Sequence, residues 1–275
     1  MPDSVLRSFV QAIEALFQTG HGAGDVRCFG LRFDGFDCSD WGHLRDALCA
    51  GGVRRSGFRG LPLSGGEIAR ARRFVHAADA VRHLAGRILL RRAARHAAGR
   101  NPSRSDGIAD WPCDAFGKPR RTPSGWEVSI AHSGPEVWVA LASGAAVGID
   151  VEIDVPEWEA FGELLHPLER IALSAMRSEP RVFDAACRRV WTRKEAVVKA
   201  AGLGLSMPLD GFEVLVDATP AGWLCKAPQG YGEAWTVQDR PGGLVDGGEE
   251  LAGAVAVAAA GQDVIWRLGR VSPSS

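Results

Sequence analysis

The chain has 275 residues, of which 46% are hydrophobic and 24% are charged, and its formal net charge is −1. That balance disfavours disorder, and the length suits one large domain or two of about 135 residues each. The longest apolar stretch, Leu251 to Ala260, is far shorter than the roughly 20 residues of a membrane-spanning helix. The sequence does not begin with a signal-peptide pattern, so we expect a cytoplasmic protein with no membrane partner.

The first part of the chain predicts mainly helices. Apolar residues at helical spacing indicate a helix over 4–17, and a short strand is expected over 27–33. Ser64, with Glu67 three residues later, is typical of a helix start. After a break near residue 76, a second helical pattern covers 77–98.

Strands predominate after residue 125. Three are expected, over 127–131, 137–142 and 146–153. A long helix is expected over 180–201, with Pro180 in its first turn and Gly202 as its stop. Three more strands are expected, over 212–216, 234–237 and 251–258. Each half of the chain thus has a long helix followed by strands, and the Ser143-Gly144 turn is the natural seam.

Positive charge is concentrated in one block. Between Arg54 and Arg104 there are 13 arginines against Glu67 and Asp79. Such a block indicates either a surface for an anionic ligand, such as phosphates or an acidic protein, or the solvated face of an amphipathic helix. Charge alone leaves both interpretations open.

The sharpest local pattern is Gly148-Ile149-Asp150-Val151-Glu152. Because side chains alternate in a strand, Asp150 and Glu152 project from one face while Ile149 and Val151 face the core. Two adjacent carboxylates repel each other unless a positive charge lies between them, and Mg²⁺ accepts carboxylates together with phosphate oxygens and water. The pattern therefore indicates either a metal site or an edge strand with a solvated acidic face.

A second pattern lies in the predicted long helix, Trp191-Thr192-Arg193-Lys194-Glu195-Ala196-Val197-Val198-Lys199. Trp191, Glu195 and Lys199 follow each other at four-residue steps, so they share roughly one helix face. Glu195 and Lys199 form either a surface ion pair or a third carboxylate beside a phosphate-binding lysine. Helix geometry does not decide between these.

Two shorter patterns precede these. Phe116-Gly117-Lys118-Pro119 combines a glycine that permits close backbone approach, a cation for phosphate and a stiffening proline. Ser129-Ile130-Ala131-His132-Ser133 places a histidine at the end of a strand, where it is either structural or ligand-binding. Each pattern is weak by itself.

In this order the four patterns resemble the Sfp-type 4′-phosphopantetheinyl transferases, whose marks are a G-K-P loop, an S-H-S strand end, a G-(I/V)-D-x-E strand and a W-x-x-K-E-A-x-x-K helix. The helix pattern matches at every fixed position, and the resemblance spans roughly residues 70–209. It implies an α+β pseudo-dimer of two similar α/β halves, residues 1–143 and 144–275, with the active site in the cleft between them.

The resemblance also implies roles for individual residues. Asp150, Glu152 and Glu195 would hold Mg²⁺ against the pyrophosphate of coenzyme A, and Glu195 and Lys199 would be catalytic. The residues that would bind coenzyme A are Arg70, Arg82, Gly117, Lys118, Pro119 and His132.

The implied enzyme is a Mg²⁺-dependent transferase. A serine hydroxyl of an acyl or peptidyl carrier protein attacks the β-phosphorus of coenzyme A, phosphopantetheine is transferred, and 3′,5′-ADP leaves. We expect the carrier and coenzyme A as partners, no nucleic acid, and a monomer, since a pseudo-dimer needs no second copy to complete its cleft. Ala131, where the family commonly has serine, and Glu67, at a position that is often basic, depart from the pattern in the predicted 3′-phosphate contacts.

Two other functions use the same residue types. A Mg²⁺-dependent phosphohydrolase or nuclease would also use three carboxylates, although hydrolysis gives no reason for the complete W-x-x-K-E-A-x-x-K helix. A nucleic-acid-binding module could use the arginine block, although Phe58 and Phe74 are its only aromatic residues.

Lysine is rare in this chain, with 28 of the 32 basic residues being arginine. Three of the four lysines, Lys118, Lys194 and Lys199, fall within the patterns above. In a chain that otherwise uses arginine, these positions indicate a need for a compact ammonium group.

Overall fold

The computed structural model describes residues 2–18, 25–50, 61–99, 109–115, 117–217, 221–222, 227–230, 234–241 and 251–273. Within these ranges the chain is a mixed α+β protein with seven α-helices and two four-stranded sheets. The helices are α1 (Pro2–Gln18), α2 (Cys38–Cys49), α3 (Gly65–Ala71), α4 (Ala77–Ala97), α5 (Trp158–Glu163), α6 (Pro167–Ser174) and α7 (Pro180–Ala201). The strands are β1 (Val26–Phe33), β2 (Trp126–Ser133), β3 (Glu136–Ser143), β4 (Val147–Glu152), β5 (Ala221–Gly222), β6 (Thr236–Asp239), β7 (Ala252–Val257) and β8 (Val264–Val271). Among the described helices, none has the length and apolar character needed to cross a bilayer.

Helices α1, α3, α4 and α7 confirm the sequence prediction, and two of them show its local cause. Before α3, the Ser64 hydroxyl accepts a hydrogen bond from the Glu67 backbone N–H, and the Glu67 carboxylate accepts one from the Ser64 backbone N–H. Helix α7 has Pro180 in its first turn and ends at Gly202, which has a left-handed φ of 75°.

Helices α2, α5 and α6 and strands β5 and β8 are absent from the sequence prediction. Helix α2 has a start signal, because Asp37 and Asp40 form a capping box. Its apolar positions are too few to give the clear helical period that marks α4 or α7. Helices α5 and α6 are only 6 and 8 residues long, which is too short for a periodic pattern to emerge.

The strand predicted over 212–216 is wrong. Phe212 and Val214 are buried in the core beneath α7. The Phe212 carbonyl accepts a hydrogen bond from Lys194, and the Val214 N–H donates to Glu169. Buried backbone groups need partners, and here side chains rather than a neighbouring strand supply them.

The two sheets have strand orders β2-β3-β1-β8 and β4-β7-β6-β5. In the first sheet, β2 and β3 form an antiparallel hairpin and β3 pairs antiparallel with β1. In the second sheet, β6 and β7 form an antiparallel pair and β7 pairs antiparallel with β4. Strand β8 joins the first sheet, where it runs parallel to β1. Strands β3 and β4, on either side of residue 144, therefore lie in different sheets.

Alternation along the strands assigns their faces to different cores. On β3 the odd-numbered residues of 137–141 pack with α1 and α4, while the even-numbered residues of 138–142 lie between the two sheets. On β4, Ile149 and Val151 belong to the intersheet core, as the alternation predicts. The opposite face, which carries Asp150, is turned to α7 and contacts its Lys199.

Candidate active site

Gly148 allows α7 to cross directly over β4. A Cβ atom at this position would lie 2.0 Å from the Ala196 carbonyl oxygen and 2.4 Å from the Ala200 backbone nitrogen. Because glycine has no Cβ, the helix backbone can rest on the strand. This crossing brings Lys199 of α7 over Asp150 of β4.

Replacing Gly148 with alanine is expected to lower the free energy of unfolding by about 3 kcal/mol, the upper end of overpacking costs, since backbone atoms rather than a side-chain tip must move. Urea unfolding monitored by fluorescence measures the change. Gly42→Ala in α2 is the matched control, because nothing lies within 4 Å of an added Cβ there. The control should be neutral or slightly stabilising. Equal effects of the two substitutions would contradict this explanation of the crossing.

Asp150 is the most deeply buried carboxylate of the candidate site, with 3% of its surface exposed. Its Oδ1 accepts a hydrogen bond from Lys199 Nζ at 2.6 Å, whereas its Oδ2 is buried without a hydrogen-bond partner among the described residues. Burial raises the pKa of Asp150, and the charge of Lys199 opposes this rise. A solvated acidic edge is therefore the wrong interpretation of this position.

Glu152 and Glu195 share the environment of Asp150. The Ser133 hydroxyl donates a hydrogen bond to Glu152 Oε2 at 2.9 Å. Burial and then the charge of Asp150 raise the pKa of Glu152. Burial also raises the pKa of Glu195, where Lys199 opposes the effect and Asp150 reinforces it. The charge of Asp150 thus acts on both glutamates, and Lys199 acts on all three carboxylates.

These carboxylates have the chemistry of a site for a hard divalent cation. Within the described ranges, no three His, Cys, Asp or Glu side chains form a group that could hold a metal ion. Mg²⁺ does not require such a group, because it usually takes one or two carboxylates and completes its shell with water and phosphate oxygens. The unpartnered Oδ2 of Asp150 and the raised pKa values of Glu152 and Glu195 fit a cation, since positive charge would stabilise the ionised acids.

A cavity of about 360 Å³ adjoins the acidic group. Its walls come from two distant parts of the chain, residues 70–132 and residues 198–204. The six residues predicted to bind the ligand all line it, namely Arg70, Arg82, Gly117, Lys118, Pro119 and His132. Phe116, in the same predicted loop, lies outside the described residues. Lys199 also lines the cavity, so it links the basic walls to the carboxylates.

Two of the cavity's cations have fixed contacts. Arg82 donates hydrogen bonds to the Gly134 carbonyl at 2.7 Å and to Asp79 Oδ1 at 2.5 Å. Lys118 Nζ donates to the Ala200 carbonyl at 3.0 Å, in the last turn of α7, where the helix dipole favours a cation. Burial lowers the pKa of Lys118.

Two histidines on the cavity wall are neutral near pH 7. Partial burial, followed by the charges of Arg82 and Lys199, lowers the pKa of His132. Burial and then the charge of Arg87 lower the pKa of His83 to about 4. A bound anion would act in the opposite direction, because negative charge stabilises the protonated ring.

His83 and Arg87 are cavity residues that the sequence analysis missed. Arg87 also contacts Cys113, with 3.8 Å between Nη2 and Sγ. The two residues lie one turn apart on α4, so their shared face was a signal available in the sequence. It was hidden because basic residues occur on nearly every side of that helix.

The two departures from the family pattern have different consequences. Ala131 lines the cavity, so its missing hydroxyl removes a ligand contact at that wall. Glu67 is buried, caps α3 and forms an ion pair with Arg91 at 2.8 Å. Its charge therefore has an internal partner in Arg91, although it also acts on His83 of the cavity wall.

Comparison with known proteins yields a single family. Residues 146–256, which include Asp150, Glu152, Glu195 and Lys199, match the family model described as the 4′-phosphopantetheinyl transferase superfamily. A 4′-phosphopantetheinyl transferase of Bacillus subtilis is 34% identical over 154 residues, 53% of this chain and 62% of that protein. The 4′-phosphopantetheinyl transferase AcpT of Salmonella typhimurium is 34% identical over 122 residues, 43% of this chain and 57% of that protein. The chain thus spans less than two thirds of the length of these two relatives.

Proposed function

We propose that the chain belongs to the 4′-phosphopantetheinyl transferase superfamily and that it transfers the 4′-phosphopantetheine group of coenzyme A to a serine of an apo acyl or peptidyl carrier protein. The observation that carries the proposal is the continuity of the site. A cavity lined by cations leads through Lys199 to Asp150 and to the two glutamates on which the charge of Asp150 acts, Glu152 and Glu195. A phosphate-rich ligand suits the first part, and the charge changes of phosphoryl transfer suit the second.

The cavity residues would bind and orient coenzyme A. Arg70, Arg82, Lys118 and His132 would contact its phosphates and seat the 3′-phosphoadenosine end. Gly117, with a φ of 86°, permits the sharp turn of the Gly117-Lys118-Pro119 loop against the ligand. The fixed contacts of Arg82 and Lys118 reduce the entropy lost when the ligand is ordered.

The acidic residues would hold the cation and move the proton. Asp150, Glu152 and Glu195 would hold Mg²⁺, which supplies neutralisation of the pyrophosphate charge. Lys199 would add a positive charge beside the reacting phosphate. Glu195, whose pKa is raised by burial, would accept the proton of the carrier serine. The serine oxygen–phosphorus bond then forms as the bond to 3′,5′-ADP breaks, and the proton stays on the Glu195 carboxylate.

The fold would be a pseudo-dimer with the site in the cleft between residues 1–143 and 144–275. The order β1, α4, β2, β3 in the first part has a counterpart in β4, α7, β6, β7 of the second. In each set the last strand of the hairpin pairs with the first strand of the set. Strand β8 would then be a crossover that ties the end of the chain to the first sheet. We propose a cytoplasmic monomer, since one chain contains both walls of the cleft.

Lys199→Arg is expected to reduce turnover about tenfold or more, although it keeps the positive charge. The ammonium lies 2.6 Å from Asp150 Oδ1, and the longer, planar guanidinium cannot place its charge at the same point. Steady-state transfer to a carrier protein measures the loss. Arg181→Lys, an exposed exchange in the first turn of α7, is the control. Near-normal turnover of the Lys199→Arg variant would show that arginine can replace lysine at this position and would contradict the prediction.

Calorimetric titration with coenzyme A, with and without Mg²⁺, tests the proposal against the other two functions. The proposed function requires coenzyme A to bind more tightly when Mg²⁺ is present, and Arg82→Ala to weaken that binding. Binding of DNA with a steep salt dependence, in place of coenzyme A binding, would favour a nucleic-acid-binding module and contradict the proposal. Hydrolysis of phosphodiesters without any affinity for coenzyme A would contradict it as well.

A further inference from the structure

Strands β2 and β4 are edge strands of different sheets, and they lie side by side without forming a backbone ladder. Edge strands leave backbone N–H groups that need other partners. Two serine hydroxyls of β2 provide them. The Ile149 N–H donates to Ser129 Oγ at 3.2 Å, and the Ile153 N–H donates to Ser133 Oγ at 3.3 Å. We call this pair of contacts, Ser129 to Ile149 and Ser133 to Ile153, the serine seam.

The two serines of the seam differ in one respect. Ser133 also donates its hydroxyl proton to Glu152 Oε2 at 2.9 Å, so it uses both its donor and an acceptor lone pair. For Ser129, the bond from Ile149 is the contact that the structure gives, and Ser129 is buried at 2% exposure. Ser133 therefore acts on a carboxylate of the candidate site, whereas Ser129 binds the backbone of β4 and lines the cavity.

The end of the seam at Ser133 is held closely. A Cβ atom on the next residue, Gly134, would lie 2.8 Å from Ile153 Cδ1, so the chain after β2 packs tightly on the end of β4. The Gly134 carbonyl also accepts the hydrogen bond from Arg82. Thus one short segment contacts a cavity cation on one side and Glu152 on the other.

We propose that Ser133 is a positioning residue that fixes Glu152 Oε2 for a divalent cation, while Ser129, which also lines the cavity, joins the two sheets through Ile149. The inference rests on the proposed function, because that function supplies the cation. A carboxylate without the Ser133 hydrogen bond can rotate away from the neighbouring Asp150, whose negative charge repels it. Removing a residue that hydrogen-bonds a metal ligand and orients it typically weakens metal binding by about 10–100-fold.

The test uses Mn²⁺ as the probe and does not require activity. The loss of the free Mn²⁺ signal in electron paramagnetic resonance gives the affinity of the full chain, measured at saturating coenzyme A because Ser129 lines the cavity. Ser133→Ala is expected to weaken Mn²⁺ binding about 10-fold or more, and Ser133→Thr, which keeps the hydroxyl, to restore most of it. Ser129→Ala is the matched control. Both alanine variants leave a backbone N–H without a partner, so urea unfolding should show both to be destabilised. Only Ser133→Ala should lose Mn²⁺ affinity.

Three outcomes would overturn the inference. In the first, the wild type binds both Mn²⁺ and coenzyme A, and a folded Ser133→Ala variant binds Mn²⁺ equally well. This result contradicts the positioning role of Ser133 and leaves the proposed function intact. In the second, the Ser129→Ala and Ser133→Ala variants lose Mn²⁺ affinity equally, which shows that the serine seam affects the cation site only by stabilising the fold. A wild type that binds neither Mn²⁺ nor coenzyme A overturns the proposed function together with this inference.

Discussion

Glu195→Gln is expected to reduce transfer to a carrier serine about 10²–10⁴-fold, while coenzyme A binding at saturating Mg²⁺ stays near its wild-type value. Glutamine keeps the size of the side chain and can still donate and accept hydrogen bonds, but its amide cannot take the serine proton. Coenzyme A binding should persist because the cavity is lined by Arg70, Arg82, Lys118 and His132 and by Lys199. Single-turnover modification of a carrier measures the chemical step, and calorimetry on the same variant measures binding.

Two further measurements separate proton transfer from cation binding at Glu195. The loss should remain at saturating Mg²⁺, because a weaker cation site alone would be rescued by more Mg²⁺. In the wild type without Mg²⁺, the pKa of Glu195 should lie above that of an ordinary glutamate because burial raises it, and it should fall when Mg²⁺ binds, since positive charge stabilises the ionised carboxylate. Asp184→Asn, an exposed acid on the same helix, is the control and should leave transfer unchanged. Full rescue by Mg²⁺ would contradict the role of Glu195 as proton acceptor.

Lys194→Met is expected to lower the free energy of unfolding by about 3–5 kcal/mol, the cost of leaving one member of a buried ion pair unpaired. Lys194 and Glu169 are fully buried and their charged atoms are 2.9 Å apart. Lys194 also donates to the carbonyls of Leu209 and Phe212, and Glu169 accepts from the backbone N–H of Val214. Removing the ammonium leaves two carbonyls without this donor and a buried carboxylate without its counter-charge.

Urea unfolding of matched variants tests this role of Lys194. The double variant Lys194→Met with Glu169→Gln should recover much of the loss, because no unpaired charge then remains buried. The loss in the single variant should be smaller at low pH, since burial already raises the pKa of Glu169 and its protonation removes the unpaired charge. A Lys194→Met variant within about 1 kcal/mol of the wild type would contradict this explanation, because exposed pairs contribute no more than that.

Lys194 belongs to the W-x-x-K-E-A-x-x-K motif but does not line the cavity, and its position in the fold explains why a lysine is present there. It lies next to Glu195 on α7 but points to the other side of the helix, toward the segment that follows Gly202. Its hydrogen bonds to the carbonyls of Leu209 and Phe212 hold that segment against the helix. The motif thus carries one lysine for the fold, Lys194, and one for the site, Lys199.

Some strand faces, helix faces and helix ends of this protein could be predicted from its sequence, because they depend on local chemistry. The alternation over Gly148 to Glu152 predicted which side chains face the core, and the four-residue steps of α7 put Glu195 and Lys199 on one face. The turn signals at Ser64 and Gly202 marked helix ends. These predictions depend only on residues close together in the chain, so one sequence is enough to make them.

The remainder depends on contacts between distant residues. Glu169 and Lys194 are 25 positions apart, and Ser133 meets Glu152 only because two sheet edges adjoin. Nothing in either local sequence indicates its partner. The strand predicted over 212–216 failed for the same reason, because side chains of α6 and α7 replaced the expected ladder. Strand β8 also pairs with a strand more than 230 positions earlier.

Mass spectrometry of a carrier protein tests the central claim most directly. Apo carriers from fatty-acid, polyketide and peptide synthesis would each be incubated with the protein, coenzyme A and Mg²⁺. We expect at least one carrier to gain the mass of a single phosphopantetheine group on its serine, with release of 3′,5′-ADP, and expect the gain to vanish with Glu195→Gln. If every carrier keeps its original mass while the folded protein is shown to bind coenzyme A, the transferase function is contradicted.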